Sequence, residues 1–301
     1  MTQPAVVQFV REFDPAYGRL VDVSPLIRRL VAPNASAFTA WGSGTYVVGN
    51  GAVAVIDPGP DDSAHIDTLL RALGTERVAQ IIVTHTHLDH SPGARILQAR
   101  TGAPISGCGP HARIGTHDEP VEEGGDFEHQ PDRLLQDGES ISGEGWTLTA
   151  VHTPGHTSNH LCYALAEEHA LFSGDHVMGW STTVVSPPDG DMTRYMASLE
   201  KLLARDDRVL YPTHGAPITQ PKPFIAQLIA HRREREEQIL AVLKDGPGLI
   251  PAIVAKLYAN VDPRLHKAAG RSVLAHLIAL ADSGRVRYDG PAAGTSEFRI
   301  A

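Results

Sequence analysis

Four potential metal ligands crowd into the stretch His85-Thr86-His87-Leu88-Asp89-His90, directly after the apolar run Val78–Val83. A neutral imidazole binds zinc at ~2.0–2.1 Å and a carboxylate at ~2.0–2.2 Å, so one such loop can serve two ions. Three later positions obey the same placement. His152 closes a β-rich run in Val151-His152-Thr153-Pro154-Gly155-His156-Thr157, Asp175 follows Phe172-Ser173-Gly174, and His214 follows Leu210-Tyr211-Pro212-Thr213. One His or Asp after a strand is ordinary. Several, each just past an apolar run, describe a site assembled at strand ends, as layered α/β proteins assemble theirs.

The elements that must carry these residues alternate. Thr45–Gly49 and Ala52–Asp57 read as strands joined by the hairpin signal Asn50-Gly51. A helix follows over Ala64–Leu73, stopped by Gly74, and then the strand Val78–Val83. Ser91-Pro92 opens another helix, with Ser at the N-cap and Pro in the first turn. Further strands are expected at Thr147–His152, Leu161–Leu165, Ala170–Ser173 and Arg208–Pro212, with a helix over Met192–Arg205. Pro110–Arg133 and His176–Asp191 read as long loops, the kind that cover sites. The tail changes character: helices at His231–Lys244, Pro251–Tyr258 and Arg271–Asp282 precede a hairpin of Arg285–Asp289 and Glu297–Ile300, the winged-helix pattern. The boundary falls near residue 230, giving units 1–230 and 231–301.

Composition narrows the function classes. The chain is 42% apolar and 20% charged, without an apolar stretch long enough to span a bilayer. Arg11, Glu12 and Asp14 interrupt the opening segment where an export signal needs an apolar run, and two cysteines without a CxxC spacing suit a reducing compartment, so a cytoplasmic location is expected. The net charge of −9 is uneven: residues 231–301 carry 11 Lys+Arg against 8 Asp+Glu, leaving the main body strongly acidic. Such a body argues against charge-driven nucleic-acid binding. The candidate recognition helix Arg271–Asp282 is nearly uncharged, so specific DNA binding is not expected; the winged helix would pack on the catalytic unit, wall its cleft or build a homodimer.

The series HxHxDH, then a distant His, Asp and His, resembles the metallo-β-lactamase superfamily over roughly residues 20–230, with Asp57 in Val55-Ile56-Asp57-Pro58-Gly59 as the first of five motifs. The resemblance implies an α/β fold, an αββα sandwich with its site at one edge, followed here by the small C-terminal winged-helix domain. Carried over position by position, it implies that His85, His87 and His152 hold a first metal. Asp89, His90 and His214 would hold a second, and Asp175 would bridge both. Asp57 would orient a ligand histidine from behind, and His156 would take a non-ligand, hydrogen-bonding place. A ligand set of imidazole and carboxylate suits zinc, and also iron or manganese. The diiron branch resembles HxExDH with a flavin domain; His87 stands at that Glu position, so two Zn2+ are the first choice.

By the same resemblance, a water shared by the two ions, oriented by Asp89 with Asp175 between the metals, would attack an electrophilic carbonyl or phosphorus. Gly42–Tyr46, Gly174–Val185 and the tail are similar to the β-lactamase-like protein 2 group, which is linked to endoribonuclease activity on single-stranded RNA. RNA or another phosphodiester is therefore one expected substrate. The alternative is a small thioester, ester, lactone or β-lactam. A mononuclear-iron oxygenase is disfavoured by the presence of both His90 and His214. Tyr46, Trp180, Thr182 and Thr183 lie on segments expected near the cleft and are candidate substrate contacts. Arg232, Arg233, Arg285 and Arg287 are the candidate phosphate contacts if nucleic acid binds.

Overall fold

The computed structural model describes residues 7–112, 124–246, 248–259, 266–290, 292 and 294–301. The first half runs β1 (Val21–Asp22), β2 (Ile27–Val31), β3 (Gly44–Val48), β4 (Ala52–Ile56), α1 (Ser63–Leu73), β5 (Arg77–Val83), α2 (Pro92–Thr101), β6 (Ile105–Gly107) and β7 (Arg133–Leu134). These strands form one sheet in chain order, antiparallel through β4 and parallel from β4 to β7. The second half runs β8 (Ser140–Gly143), β9 (Trp146–His152), β10 (Leu161–Leu165), β11 (Ala170–Gly174), α3 (Met192–Leu203) and β12 (Val209–Pro212). Its sheet has the order β12-β11-β10-β9-β8.

The period-2 alternation of a strand explains the layers. On β10, Leu161, Tyr163 and Leu165 join the core between the sheets, whereas Cys162 and Ala164 face the other way, against Tyr195 and Leu199 of α3. Tyr46 on β3 meets Phe172 on β11 at 5.2 Å between ring centroids. Two polar ties also cross the gap: the Tyr163 hydroxyl donates to the Val83 carbonyl at 2.8 Å, and Trp146 Nε1 donates to the Ala52 carbonyl at 3.0 Å. Ile66, Leu69 and Leu97, from α1 and α2, join the core of the first sheet. The result is helix, sheet, sheet, helix: an αββα sandwich, as the resemblance implied.

At the first two helices the local signals hold with one difference. Asp62 caps α1 by accepting from the N–H groups of Ala64 and His65, worth about 1 kcal/mol, and Gly74 ends the helix at a positive φ of 61°. Ser91 sits at the N-cap of α2, but its hydroxyl donates to Asp126 Oδ2 at 2.7 Å and caps nothing. The stretch from Asp175 to Asp191 holds neither helix nor strand, as expected of a loop. Of the other expected loop, residues 113–123 lie outside the described residues.

The tail begins with α4 (Pro221–Lys244), ten residues before the expected helix start. Pro221 and Pro223 fit because the first turn of a helix has no intrahelical use for their missing N–H groups. Phe224, Ile225, Leu228 and Ile229 on this helix belong to the core over the second sheet, while Ile239, Leu240 and Leu243 belong to a separate tail core. β13 (Gly248–Leu249), α5 (Ile250–Leu257), α6 (His266–Asp282), β14 (Val286–Tyr288) and β15 (Glu297–Ile300) complete the winged helix, with strand order β13-β15-β14. Ala275 of α6 is buried in the core over the second sheet, so the candidate recognition helix packs against the sandwich. No helix among the described residues is long and apolar enough to cross a membrane.

Candidate metal centre

Five strand ends converge at one edge of the sandwich. Asp57 follows β4, His85 to His90 follow β5, His156 follows β9, Asp175 follows β11 and His214 follows β12. His85 Nε2 lies 3.0 Å from His87 Nδ1, and His156 Nε2 lies 3.1 Å from the same atom. Hydrogen bonding fixes two of these rings. His156 Nδ1 donates to the Val184 carbonyl at 2.7 Å, which leaves a lone pair on Nε2 of the neutral ring. The Thr84 hydroxyl gives its proton to Asp57 Oδ2 at 2.7 Å and so accepts from His85 Nδ1 at 3.0 Å, leaving a lone pair on Nε2 there too. Three imidazole nitrogens thus converge, two of them certain acceptors, with at most one proton to share. A cation satisfies all three at once.

The second group is built on carboxylates. Asp89 Oδ2 lies 3.2 Å from His90 Nε2 and 3.3 Å from His214 Nε2. Asp175 Oδ2 lies 3.3 Å from His214 Nε2, 3.6 Å from His90 Nε2 and 3.9 Å from His156 Nε2. It therefore reaches both groups, the position a bridging ligand needs. The buried atoms His90 Nε2 and Asp175 Oδ1 have no hydrogen-bond partner, an unmet demand that a divalent ion would fill. The three sets His85/His87/His156, His85/His90/Asp175 and Asp89/His90/His214 each bring their ligand atoms within 4.8 Å of one another.

Electrostatics separates the two groups. Burial, reinforced by neighbouring rings, holds His85 and His87 well below the ordinary imidazole range, and burial lowers His156 as well. All three are neutral, the form that binds metal. Burial would also lower His214, but Asp175 and Asp89 outweigh it and raise it to about 10. His90 is raised by the same two carboxylates against the same burial. Burial would raise Asp89 and Asp175, yet the two imidazoles hold both below the ordinary carboxylate range. Without metal this half of the site therefore keeps protons that an arriving cation displaces.

The supporting contacts are specific. Asp57 is 2% exposed; its Oδ1 accepts from the Thr84 N–H at 2.8 Å, and its Oδ2 accepts from Thr84 Oγ1, from His90 Nδ1 at 3.0 Å and from Thr213 Oγ1 at 3.3 Å. One carboxylate thus ties the strand ends that carry His85, His90 and His214. His214 Nδ1 donates to the Gly42 carbonyl at 3.1 Å, and Ser43 Oγ donates to Asp89 Oδ2 at 2.8 Å. His160 accepts from the Asp175 N–H at 3.3 Å, with its ring 5.0 Å from that of His85. Ser43 and His160 carry no signal in the sequence beyond proximity to the motifs. Phe38, Thr39, Met178 and Val184 line the cleft beside the ligands; small or apolar, they announce no chemistry.

The expected site needs correction at several residues. His152 is exposed and lies outside the cluster; its N–H donates to Asp137 Oδ1 at 2.8 Å and its carbonyl accepts from Lys201 Nζ at 3.0 Å. His156, assigned a supporting place, stands where His152 was expected, because the Pro154-Gly155 turn carries the chain from the strand end into the site. Tyr46 is a core residue: 2% exposed, it donates to the Pro212 carbonyl at 2.6 Å and packs on Phe172 and Tyr211. Thr183 is buried, and its hydroxyl donates to the Asp175 carbonyl at 2.7 Å, so it holds the loop. Trp180 is half-buried beside Gly215, and Thr182 is half-buried; neither lines the cleft. Arg232 is 4% exposed and unavailable to a phosphate.

Residues 39–214 match the metallo-β-lactamase superfamily, and residues 250–294 match the β-lactamase-associated winged helix domain. The chain belongs to the metallo-β-lactamase superfamily and is a hydrolase of that class. Among curated proteins it is 34% identical to an atrochrysone carboxyl ACP thioesterase of Aspergillus fumigatus, over 84% of this chain and 82% of that one. It is 29% identical to a lactamase-like protein of Emericella nidulans, over 91% and 87%. A β-lactamase domain protein from Burkholderia ambifaria shares the fold with a TM-score of 0.81 at 22% identity, over 97% of this chain and 96% of that one.

Proposed function

We propose that the protein hydrolyses an acyl thioester of a small molecule or of a carrier, using two Zn2+ held by His85, His87, His156, Asp175, Asp89, His90 and His214. In this reading residues 1–230 carry the chemistry in the cytoplasm and residues 231–301 wall and brace them; two buried, unpaired cysteines support the reducing compartment. The observation that carries the substrate class is the thioesterase relative, whose likeness spans more than four fifths of both chains. This favours the thioester over RNA. The basic side chains of the tail support the same choice: Arg232 is buried, Arg233 pairs with Glu200 at 2.8 Å, and Arg285 pairs with Glu237 at 2.7 Å.

When bound, the ions would polarise the thioester carbonyl and lower the pKa of a water from 15.7 to about 7. The chain's own residues do the rest. Asp89, fixed by Ser43, presents a carboxylate at the cleft as a proton acceptor. Asp175 stands between the two groups, and Phe38, Met178 and Val184 offer apolar surface to the acyl chain. No cysteine competes as nucleophile: burial pushes the Cys162 thiol up to about 12 and raises Cys108 well above its ordinary value.

Elemental analysis with parallel turnover assays tests this. The purified protein should carry two equivalents of zinc and cleave an acyl thioester to acid and thiol. A chelator should abolish the rate and added Zn2+ restore it. Cleavage of single-stranded RNA, a lactone or a β-lactam with no thioester turnover under the same conditions would overturn the substrate assignment.

A further inference from the structure

Two of the ligands are braced by the loop after β11, and that loop is held from α4. Thr183 Oγ1 donates to the main-chain carbonyls of Asp175 at 2.7 Å and His176 at 3.1 Å. The next residue, Val184, accepts from His156 Nδ1 and so fixes that ligand's ring. The carbonyl of Thr183, in the peptide joining these two residues, accepts from Arg232 Nη2. The Arg232 guanidinium also lies 5.3 Å over the ring of Tyr195, whose hydroxyl donates to the His176 carbonyl at 3.1 Å. Arg232 is 4% exposed, its Nε has no hydrogen-bond partner, and no carboxylate among the described residues forms an ion pair with it. Packing alone gives no reason to bury a guanidinium, since an apolar side chain fills such a space without desolvating a charge. Here the charge meets the carbonyl of the one peptide that connects the supports of His156 and Asp175.

We propose that Arg232 is a positioning residue of the metal centre: its buried guanidinium fixes the Thr183–Val184 peptide and, through it, His156 and Asp175, so the tail helix sets how tightly metal is held. Arg232 touches neither metal nor substrate and acts through the loop. The inference rests on the metal assignment above but not on the substrate, so it is read without any substrate.

The test measures Co2+ affinity by chelator competition, together with the visible spectrum of the Co2+-loaded full-length protein. Wild type is compared with Arg232→Met, Thr183→Val and Leu228→Ala. Leu228, 1% exposed on the same helix, belongs to the same core, and no hydrogen bond links it to the loop, so it controls for general loosening. Arg232→Met and Thr183→Val should each weaken Co2+ binding about 10–100-fold and shift the spectrum, the range typical when the support of a ligand is removed. Leu228→Ala should lower the melting temperature and leave both readouts unchanged. Wild-type affinity and spectrum in Arg232→Met, or the same loss in Leu228→Ala, would overturn the proposal. If Arg232→Met does not fold, Thr183→Val decides, and unchanged affinity and spectrum there overturn it equally. A wild-type chain that takes up no Co2+ would instead sink the metal-centre assignment itself.

Discussion

His152 and His156 are four residues apart, and the site distinguishes them completely. The first is exposed at the end of β9; the second is 5% exposed, with Nε2 3.1 Å from His87 Nδ1. His156→Ala should therefore remove about one metal equivalent and most of the hydrolytic rate. His152→Ala should keep full metal content and alter stability by no more than about 0.5 kcal/mol, the ordinary effect of an exposed substitution. Metal analysis and thermal melts of the two variants check this, and metal loss from His152→Ala alone would reverse the assignment. The other six residues of the proposed centre were legible in the sequence because residue type and strand-end placement coincide at each of them. The rule failed once, where a ligand-type residue happens to end the strand and the residue that joins the cluster lies past a turn. Ser43, Thr183 and the carbonyls of Gly42 and Val184 were not legible as supports, because their roles exist only once distant segments meet.

That turn is an element with its own requirements. Gly155 has φ +140°, a conformation that side chains disfavour, and a Cβ there would lie 2.3 Å from Tyr195 Cα on α3. Its carbonyl accepts from the Asp191 N–H at 2.9 Å, so the turn that presents His156 is also locked to the start of α3. Gly155→Ala must displace either the turn or the helix. We expect a loss of about 1–3 kcal/mol in stability together with weakened metal binding, read by denaturant unfolding and chelator competition. A variant with native metal affinity would show that the turn tolerates the shift. The elements themselves were largely readable: hairpin, helix stops and strand runs follow local propensity and periodicity. The start of α4 was not, since Pro221-Lys222-Pro223 reads locally as a break. It becomes a helix start because Phe224, Ile225, Leu228 and Ile229 find the core over the second sheet, a partner that no local pattern names.

Across the whole molecule, acid should act through histidines buried in different layers. His65 on α1 is 4% exposed, with Nε2 2.9 Å from Thr45 Oγ1; burial outweighs the nearby Asp62 and lowers it to about 4. His176, in the loop after β11, is lowered by burial and then by His156 to about 3, and the half-buried His231 on α4 is lowered chiefly by burial to about 4. Each stays neutral in the native state at a pH where the unfolded imidazole, near 6.5, takes a proton. At these three positions the unfolded state then binds more protons, so their contribution to stability is full above about pH 6.5 and is lost as the pH drops toward 4. Loss of metal on acidification acts in the same direction, which makes the raw melting curve ambiguous. His65→Gln separates the two causes, because Gln keeps a partner for Thr45 and His65 is not among the grouped metal ligands. Between pH 7 and pH 5 the variant should gain about 1–2 kcal/mol relative to wild type, seen in denaturant unfolding at both pH values. Parallel losses in the two proteins would show that His65 is not a source of acid sensitivity and that metal release dominates it.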